Sequence, residues 1–185
     1  MIKKKILCTI CARKGSKGLK NKNLLKLLGK PLIHHTLDQA KRVKFFTKIV
    51  VSSNSNKILD ISRGKADYQI KRPELISNDY ASKVDVIKHA LLMSENKFKM
   101  VFDTIVDLDA TSPLRSIDDI HNSLKMIENS DISNNLVTGS PCRRSPYFNL
   151  VELNKNGFVS VSKNLDDPII RRQDSPECFD LNASI

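Results

Sequence analysis

Apolar and polar positions run along the chain in two rhythms, and the changes of rhythm mark the elements. Residues Lys5–Ala12 form a nearly continuous apolar run, the pattern of a strand buried on both faces. After a loop rich in Gly, Lys and Asn that reaches Asn23, core-type positions recur at Leu32, Ile33, Thr36, Leu37, Ala40 and Val43, the spacing of a helix entered after Gly29-Lys30-Pro31. The pattern then predicts a strand at Lys48–Ser53, a short helix at Asn56–Arg63 ending near Gly64, and a strand at Asp67–Arg72. A helix from Ser82 or Lys83 to Asn96 carries Val84, Ile87, His89, Ala90, Leu91 and Met93 along one side. A β-rich run, Met100–Asp109, leads through Thr111-Ser112-Pro113 into a helix over Ser116–Glu128, where Asp118 and Asp119 suit the positive end of the helix dipole. Beyond it, Leu136–Gly139, Leu150–Leu153 and Val159–Val161 read as strands, and Asn156-Gly157 as a hairpin signal.

A βαβα order over residues 1–140, followed by a hairpin arm in 141–185, predicts an α/β fold: a three-layer sandwich around a mostly parallel sheet. Ligands of such sheets bind at the carboxyl ends of the strands, so segments 13–23, 52–56, 72–82 and 109–115 are expected to assemble any site. A chain of 185 residues, 40% apolar and 28% charged, fits one globular domain and excludes disorder or a disulfide scaffold for the whole. No apolar run approaches the ~20 residues that span a bilayer. The basic, then apolar N-terminus has a leader-like start, but its apolar part stops at Ala12-Arg13-Lys14, so it reads as a first strand. Cys8 and Cys11 have redox or zinc spacing, yet on a strand their thiols point to opposite faces. With Cys142 and Cys178 they read as small hydrophobes of a reducing cytosol, which makes the expected location cytoplasmic.

Charge narrows the function. Of 31 Lys and Arg, 14 fall in the first fifty residues, where Asp38 is the only acid, so an anion is expected to dock there. Aromatic residues do not interleave with the basic ones, which argues against a nucleic-acid stacking platform. The loop Ala12-Arg13-Lys14-Gly15-Ser16-Lys17-Gly18-Leu19-Lys20-Asn21-Lys22-Asn23 combines turn-permitting glycines with clustered cations after a strand, a natural seat for a polyphosphate. It matches neither the Walker run nor the dinucleotide fingerprint. The histidines show no metal spacing, and Ser112 lacks the surroundings of a hydrolase nucleophile.

The run Ile10-Cys11-Ala12-Arg13-x-Gly15-Ser16-Lys17-Gly18-x-x-x-Lys22-Asn23 resembles the signature of acylneuraminate cytidylyltransferases, the CMP-sialic acid and CMP-nonulosonic acid synthetases. The likeness continues through Gly29-Lys30-Pro31-Leu32, Lys71-Arg72-Pro73-Glu74-Leu75, Asp79-x-Ala81-Ser82, Thr111-Ser112-Pro113-Leu114-Arg115 and Arg172-Gln173-x-x-Pro176. It implies a Rossmann-like nucleotidyltransferase with a projecting β-hairpin dimerisation arm at Leu150–Val161, and a homodimer. It also implies a reaction in which the anomeric hydroxyl of a 2-keto sugar acid attacks the α-phosphate of CTP, with Mg²⁺, to release pyrophosphate. Arg13, Ser16, Lys17 and Lys22 fall on its triphosphate positions, and Ala12, Asn23, Arg72 and Ser82 on its nucleoside positions. Asp109, Thr111, Ser112, Arg172 and Gln173 fall on its sugar-acid positions.

Two departures qualify the resemblance. Sialic acid synthetases commonly have Leu-Gln-Pro where this chain has Leu108-Asp109-Ala110, which implies a different nonulosonic acid, of legionaminic or pseudaminic type, or a metal role for Asp109. The family usually continues past Asn-Gly-Ala-Ile to an Asp-x-Asp metal segment, whereas this sequence ends at Asn182-Ala183-Ser184-Ile185. A CMP-Kdo-like or other sugar nucleotidyltransferase, and an inactive nucleotide-binding remnant, are the alternative readings.

Overall fold

The computed structural model describes residues 4–15, 18–78, 80–167, 169–182 and 184–185. The chain divides into two compact units, Met1–Leu136 with Ser184–Ile185, and Val137–Ala183.

The first unit is built on strand β1 (Ile6–Cys11). A two-residue hairpin follows, β2 (Lys26–Leu27) and β3 (Lys30–Pro31), and then α1 (Leu32–Arg42), β4 (Lys48–Ser53), α2 (Asn56–Ile61), β5 (Tyr68–Lys71), α3 (Lys83–Phe98), β6 (Thr104–Asp107) and α4 (Ile117–Glu128). The main sheet has the order β5-β4-β1-β6 with every pair parallel. Period-two alternation on β1 sends Ile6, Cys8 and Ile10 into one core with Ile33 and Leu37 of α1, Ile58 of α2 and Ile120 of α4. Leu7 enters the other core with Val50, Ile70 and Ala90 of α3. Helices therefore cover both faces, the three-layer α/β sandwich with a parallel sheet that the sequence predicts. The chain moves outward from β1 to β4 and β5, then returns to place β6 on the other side of β1. Such a reversal opens a crevice at the carboxyl ends of β1 and β6.

Local chemistry accounts for the helix starts. Ser82 caps α3, its hydroxyl accepting the Val84 N–H at 3.2 Å, and Ser116 and Asp119 form a reciprocal capping box on α4. The structure corrects several expectations. Val84 is 70% exposed, because α3 buries Val86, Ala90 and Ser94 at a spacing of four, a stripe tilted away from the predicted one. The β-rich run Met100–Asp109 supplies only a four-residue strand, and α2 stops at Ile61 rather than Arg63. The β2–β3 hairpin was not legible, since Leu28 (φ 48°) and Gly29 (φ 82°) form its turn and leucine gives no signal for a left-handed residue. No helix among the described residues is long and apolar enough to cross a membrane.

In the second unit, β7 (Gly139–Pro141) pairs antiparallel with β10 (Phe179–Leu181), and β8 (Val151–Leu153) with β9 (Val159–Val161). The strand expected at Leu136–Gly139 is displaced to β7. Its register is chosen by a partner some forty residues away, which no local pattern announces. The Asn156-Gly157 hairpin forms as read: Gly157 (φ 83°) donates to the Asn154 carbonyl at 3.1 Å and Asn154 donates to the Phe158 carbonyl at 2.9 Å. This is a three-residue loop ending in a left-handed glycine.

Candidate active site

The crevice predicted by the strand order is present as a cavity of about 440 Å³ lined by Cys11, Arg13, Gly18, Leu19, Lys22, Asn23, Asp109, Ala110 and Thr111. One wall is the glycine loop after β1. Gly15 stands at φ 80°, a conformation that strains any residue with a Cβ, whereas Gly18 needs no such freedom and meets open space. Lys14 is tied down at the loop's start, where its N–H donates to Asn54 Oδ1 at 2.8 Å. A 3-10 turn over Lys22–Leu24 sets Lys22 and Asn23 on the cavity wall. Ser16 and Lys17, both expected triphosphate ligands, lie outside the described residues.

Asn23 is the most informative of these side chains. It is 6% exposed and its amide donates to the Arg13 carbonyl at 3.5 Å, while its Oδ1 is buried with no partner among the described residues. A buried acceptor left unpaired costs about 1–3 kcal/mol, so the position is organised for a ligand donor. Ala12, by contrast, has its methyl in the core, and its N–H donates to the Ser52 carbonyl at 3.0 Å. Arg72 is 5% exposed, with Nε on Ser52 Oγ at 3.2 Å and Nη2 on the Ser52 carbonyl at 2.7 Å. Burial, opposed by the nearby Cys11 and Asp107, lowers its pKa.

The opposite wall is the end of β6. Asp109 Oδ1 accepts from the Thr111 N–H at 2.8 Å and its hydroxyl at 2.7 Å. Lys83, at the first turn of α3, stands 3.3 Å from Asp109 and 3.0 Å from Asp107, whose other oxygen accepts the Thr9 hydroxyl at 2.6 Å. Burial raises the pKa of Asp109, but the Thr111 hydrogen bonds and Lys83 outweigh it and hold the carboxyl below its ordinary value. Burial likewise works against the charge of Lys83, and the two aspartates overcome it and raise its pKa. The arrangement is a pair of carboxylates held by one ammonium. Among the described residues no cluster of three or more His, Cys, Asp or Glu side chains forms a metal cage. A magnesium ion held chiefly by substrate phosphates takes only one or two protein carboxylates, and among the described residues Asp109 is the one carboxylate on the cavity lining.

Arg115 braces this wall from below. It is 7% exposed and donates to Gln39 Oε1 at 3.0 Å, to the Asp109 carbonyl at 3.4 Å and to the Ser184 carbonyl. Gln39 in turn holds the carbonyls of Pro113 and Arg115 at 2.9 and 2.7 Å. Burial pushes the thiols of Cys8 and Cys11 well above their ordinary values, which suits inert core and wall residues.

Arg13, Lys22, Asn23, Asp109 and Thr111 are thus brought together by the fold. Ser82 and Ser112 stand outside the cavity lining, Ser82 as a helix cap and Ser112 donating its N–H to the Asp109 carbonyl at 3.4 Å. Arg172 and Gln173 belong to the second unit, in a 3-10 turn over Arg172–Asp174, with Arg172 on the Arg143 carbonyl at 3.2 Å. The neighbouring Arg171 is engaged by Asp174 through two bonds of 2.8 Å. Lys83 was not among the site residues predicted. The available signal was position, because Lys83 follows a helix cap at the carboxyl edge of the sheet.

Residues 7–164 match the family model described as Cytidylyltransferase. The chain is 44% identical over 181 residues to the post-translational flagellin modification protein B of Campylobacter coli, covering 97% of this chain and 75% of that protein. It is 43% identical, with the same coverage, to the CMP-N,N'-diacetyllegionaminic acid synthase of Campylobacter jejuni. A solved CMP:2-keto-3-deoxy-manno-octonic acid synthetase complexed with CTP superimposes with a TM-score of 0.64 at 20% identity, covering 95% of this chain and 70% of that one, a likeness of fold.

Proposed function

The chain belongs to the cytidylyltransferase family, a family of nucleotidyltransferases, and on that premise we propose that it joins CTP to a nonulosonic acid of legionaminic type, releasing pyrophosphate. The observation that carries the reading is the cavity with Arg13, Lys22 and Asn23 on one wall and Asp109 and Thr111 on the other. A cation pair facing the polar end of a parallel strand suits a triphosphate and, across from it, a polyhydroxy acid.

Nucleotidyl transfer needs positioning and charge neutralisation more than covalent catalysis. Arg13 and Lys22 hold the β- and γ-phosphates and take up the charge that grows on the departing pyrophosphate. The unpaired Oδ1 of Asn23 accepts a hydrogen bond from the nucleoside. Arg72 and Ser82 support that end of the nucleotide, Arg72 held there by Ser52 of β4. Mg²⁺, when bound, supplies countercharge to the triphosphate and polarises the reacting phosphoryl group. Asp109, which shares Lys83 with Asp107, is the residue that would hold it. Thr111 orients the Asp109 carboxylate, and Lys83 keeps the two acids from repelling each other. A planar guanidinium such as that of Arg172, beside Gln173, is suited to a sugar carboxylate. The exposed apolar side chains of the hairpin, among them Val151, Leu153 and Val159, support a homodimer formed through this arm.

The test is pyrophosphate release from CTP and Mg²⁺ with a panel of N,N'-diacetyllegionaminic, pseudaminic and N-acetylneuraminic acids and Kdo. Release with the legionaminic acid is the expected result. Release with Kdo alone, or with none of the four, would sink the proposal.

A further inference from the structure

Cys142 and Cys178 have no role in the chemistry above, yet the fold sets them face to face. The ladder between β7 and β10 pairs Pro141 with Phe179, and the same register continued by one step pairs Cys142 with Cys178. The Cys142 N–H donates to the Cys178 carbonyl at 2.9 Å, one backbone bond beyond the last paired residues that keeps the two opposite each other. Directly opposed residues present their side chains on the same face of the pair. In a hydrogen-bonded antiparallel pair the Cα atoms stand ~5.5 Å apart, inside the ~4.4–6.8 Å range that a disulfide spans. Both cysteines are free and partly exposed, whereas Cys8 is buried. Each thiol is turned to a local acceptor: Cys142 to the Arg144 carbonyl and to Asp180 at 3.4 Å, Cys178 to the Pro176 carbonyl at 3.5 Å. Rotation about one side-chain bond in each residue exchanges those weak contacts for the facing sulfur.

We propose that Cys142 and Cys178 are a reversible oxidation site that closes to an intramolecular disulfide under a peroxide. The thiolate of one cysteine attacks a peroxide oxygen, breaking the O–O bond and giving a sulfenic acid and hydroxide, which takes up the proton the thiol had released to become water. The thiolate of the other attacks the sulfenic sulfur, and the hydroxide that leaves is protonated to water. One peroxide is reduced and two thiols are oxidised, and a dithiol reductant reverses the bond by exchange. The pair stands at the mouth of the excursion 143–177, which carries the β8–β9 hairpin and the Arg172–Asp174 turn. Arg172 is moored to the carbonyl of Arg143, the residue next to Cys142. The bond therefore ties the base of the segment on which that mooring depends.

The full chain is treated with hydrogen peroxide near stoichiometry, denatured, and its thiols are counted and mapped. Two of the four thiols are expected to disappear, and tryptic peptides Met126–Arg143 and Gln173–Ile185 to appear joined, two hydrogens lighter than their sum. Dithiothreitol restores both thiols. Cys142→Ser and Cys178→Ser each lose the linked pair and instead yield a dimedone-trapped sulfenic acid on the remaining cysteine. Wild-type protein that gives separate dimedone adducts on both cysteines, or linkage only between two chains, overturns the proposal. The readout is a mass and a thiol count, so it stands or falls independently of whether the chain turns over a sugar acid.

Discussion

The ammonium of Lys83 lies 3.0 Å from Asp107 and 3.3 Å from Asp109, and removing it leaves two neighbouring acids with their charges uncompensated. Lys83→Met is expected to destabilise the fold by up to about 1 kcal/mol, the solvent-screened worth of a half-exposed ion pair, read by urea unfolding. Asp107→Asn in the same chain should recover part of that loss, because the two changes act on one interaction. Additive losses would show that the pair is not coupled. For the nucleotide, Lys22→Ala should lower kcat/KM for CTP roughly tenfold to hundredfold, the effect of about 1.5–3 kcal/mol for a hydrogen bond to a charged group. An unchanged kcat/KM would remove Lys22 from the phosphate site. The loop residues Arg13, Lys22 and Asn23 were legible because glycines, cations and an amide lie close together in the chain. Lys83 was not, because its contact with Asp107 joins a helix start to a strand end through space.

At the scale of elements, α1 is pinned through Asp38, which pairs with Lys65 at 2.9 Å and with Lys30 at the end of β3. Burial pushes the Asp38 carboxyl up, but the hydrogen bonds from Lys30 and Lys65 outweigh it and its pKa is lowered. A carboxyl with a folded pKa below its unfolded value stabilises the protein above the unfolded value, and that support is lost as pH falls through the folded one. Asp38→Asn should therefore lower stability at neutral pH and narrow the difference between pH 7 and the acid side of about pH 4, the ordinary range of aspartate. Denaturant midpoints at both pH values check this. On α4, Ser116→Ala removes half of the capping box and should cost about 1 kcal/mol, seen as a lower melting temperature. Caps and strands with strong local patterns were readable in advance, as β4 and the start of α4 were. The buried stripe of α3 was not, since Val84 and Val86 are equally apolar and only the angle at which the helix crosses the sheet decides which one is covered.

For the whole molecule, the strand order of a four-stranded parallel sheet turns a local loop into a site: the chain turns back after β5 to place β6 on the other side of β1, and the cavity lies at the carboxyl ends of β1 and β6. If the hairpin arm pairs two copies as proposed, Leu153→Asp with Val159→Asp should shift the sedimentation coefficient from a dimer to a monomer. The fold of each chain should stay intact, because both side chains are exposed. A wild-type monomer under the same conditions would remove the dimer from the functional reading. The alternation of apolar and polar positions by itself determined the layer order, the parallel core strands and the glycine loop, because each follows from periods of 2 and 3.6 or from residues adjacent in the chain. Tertiary structure alone decided that Lys83 bridges Asp107 and Asp109, which partners the bracing Arg115 takes, and that Cys142 faces Cys178. These contacts depend on register and crossing angle, which are set by how whole elements pack and leave no trace in the local sequence.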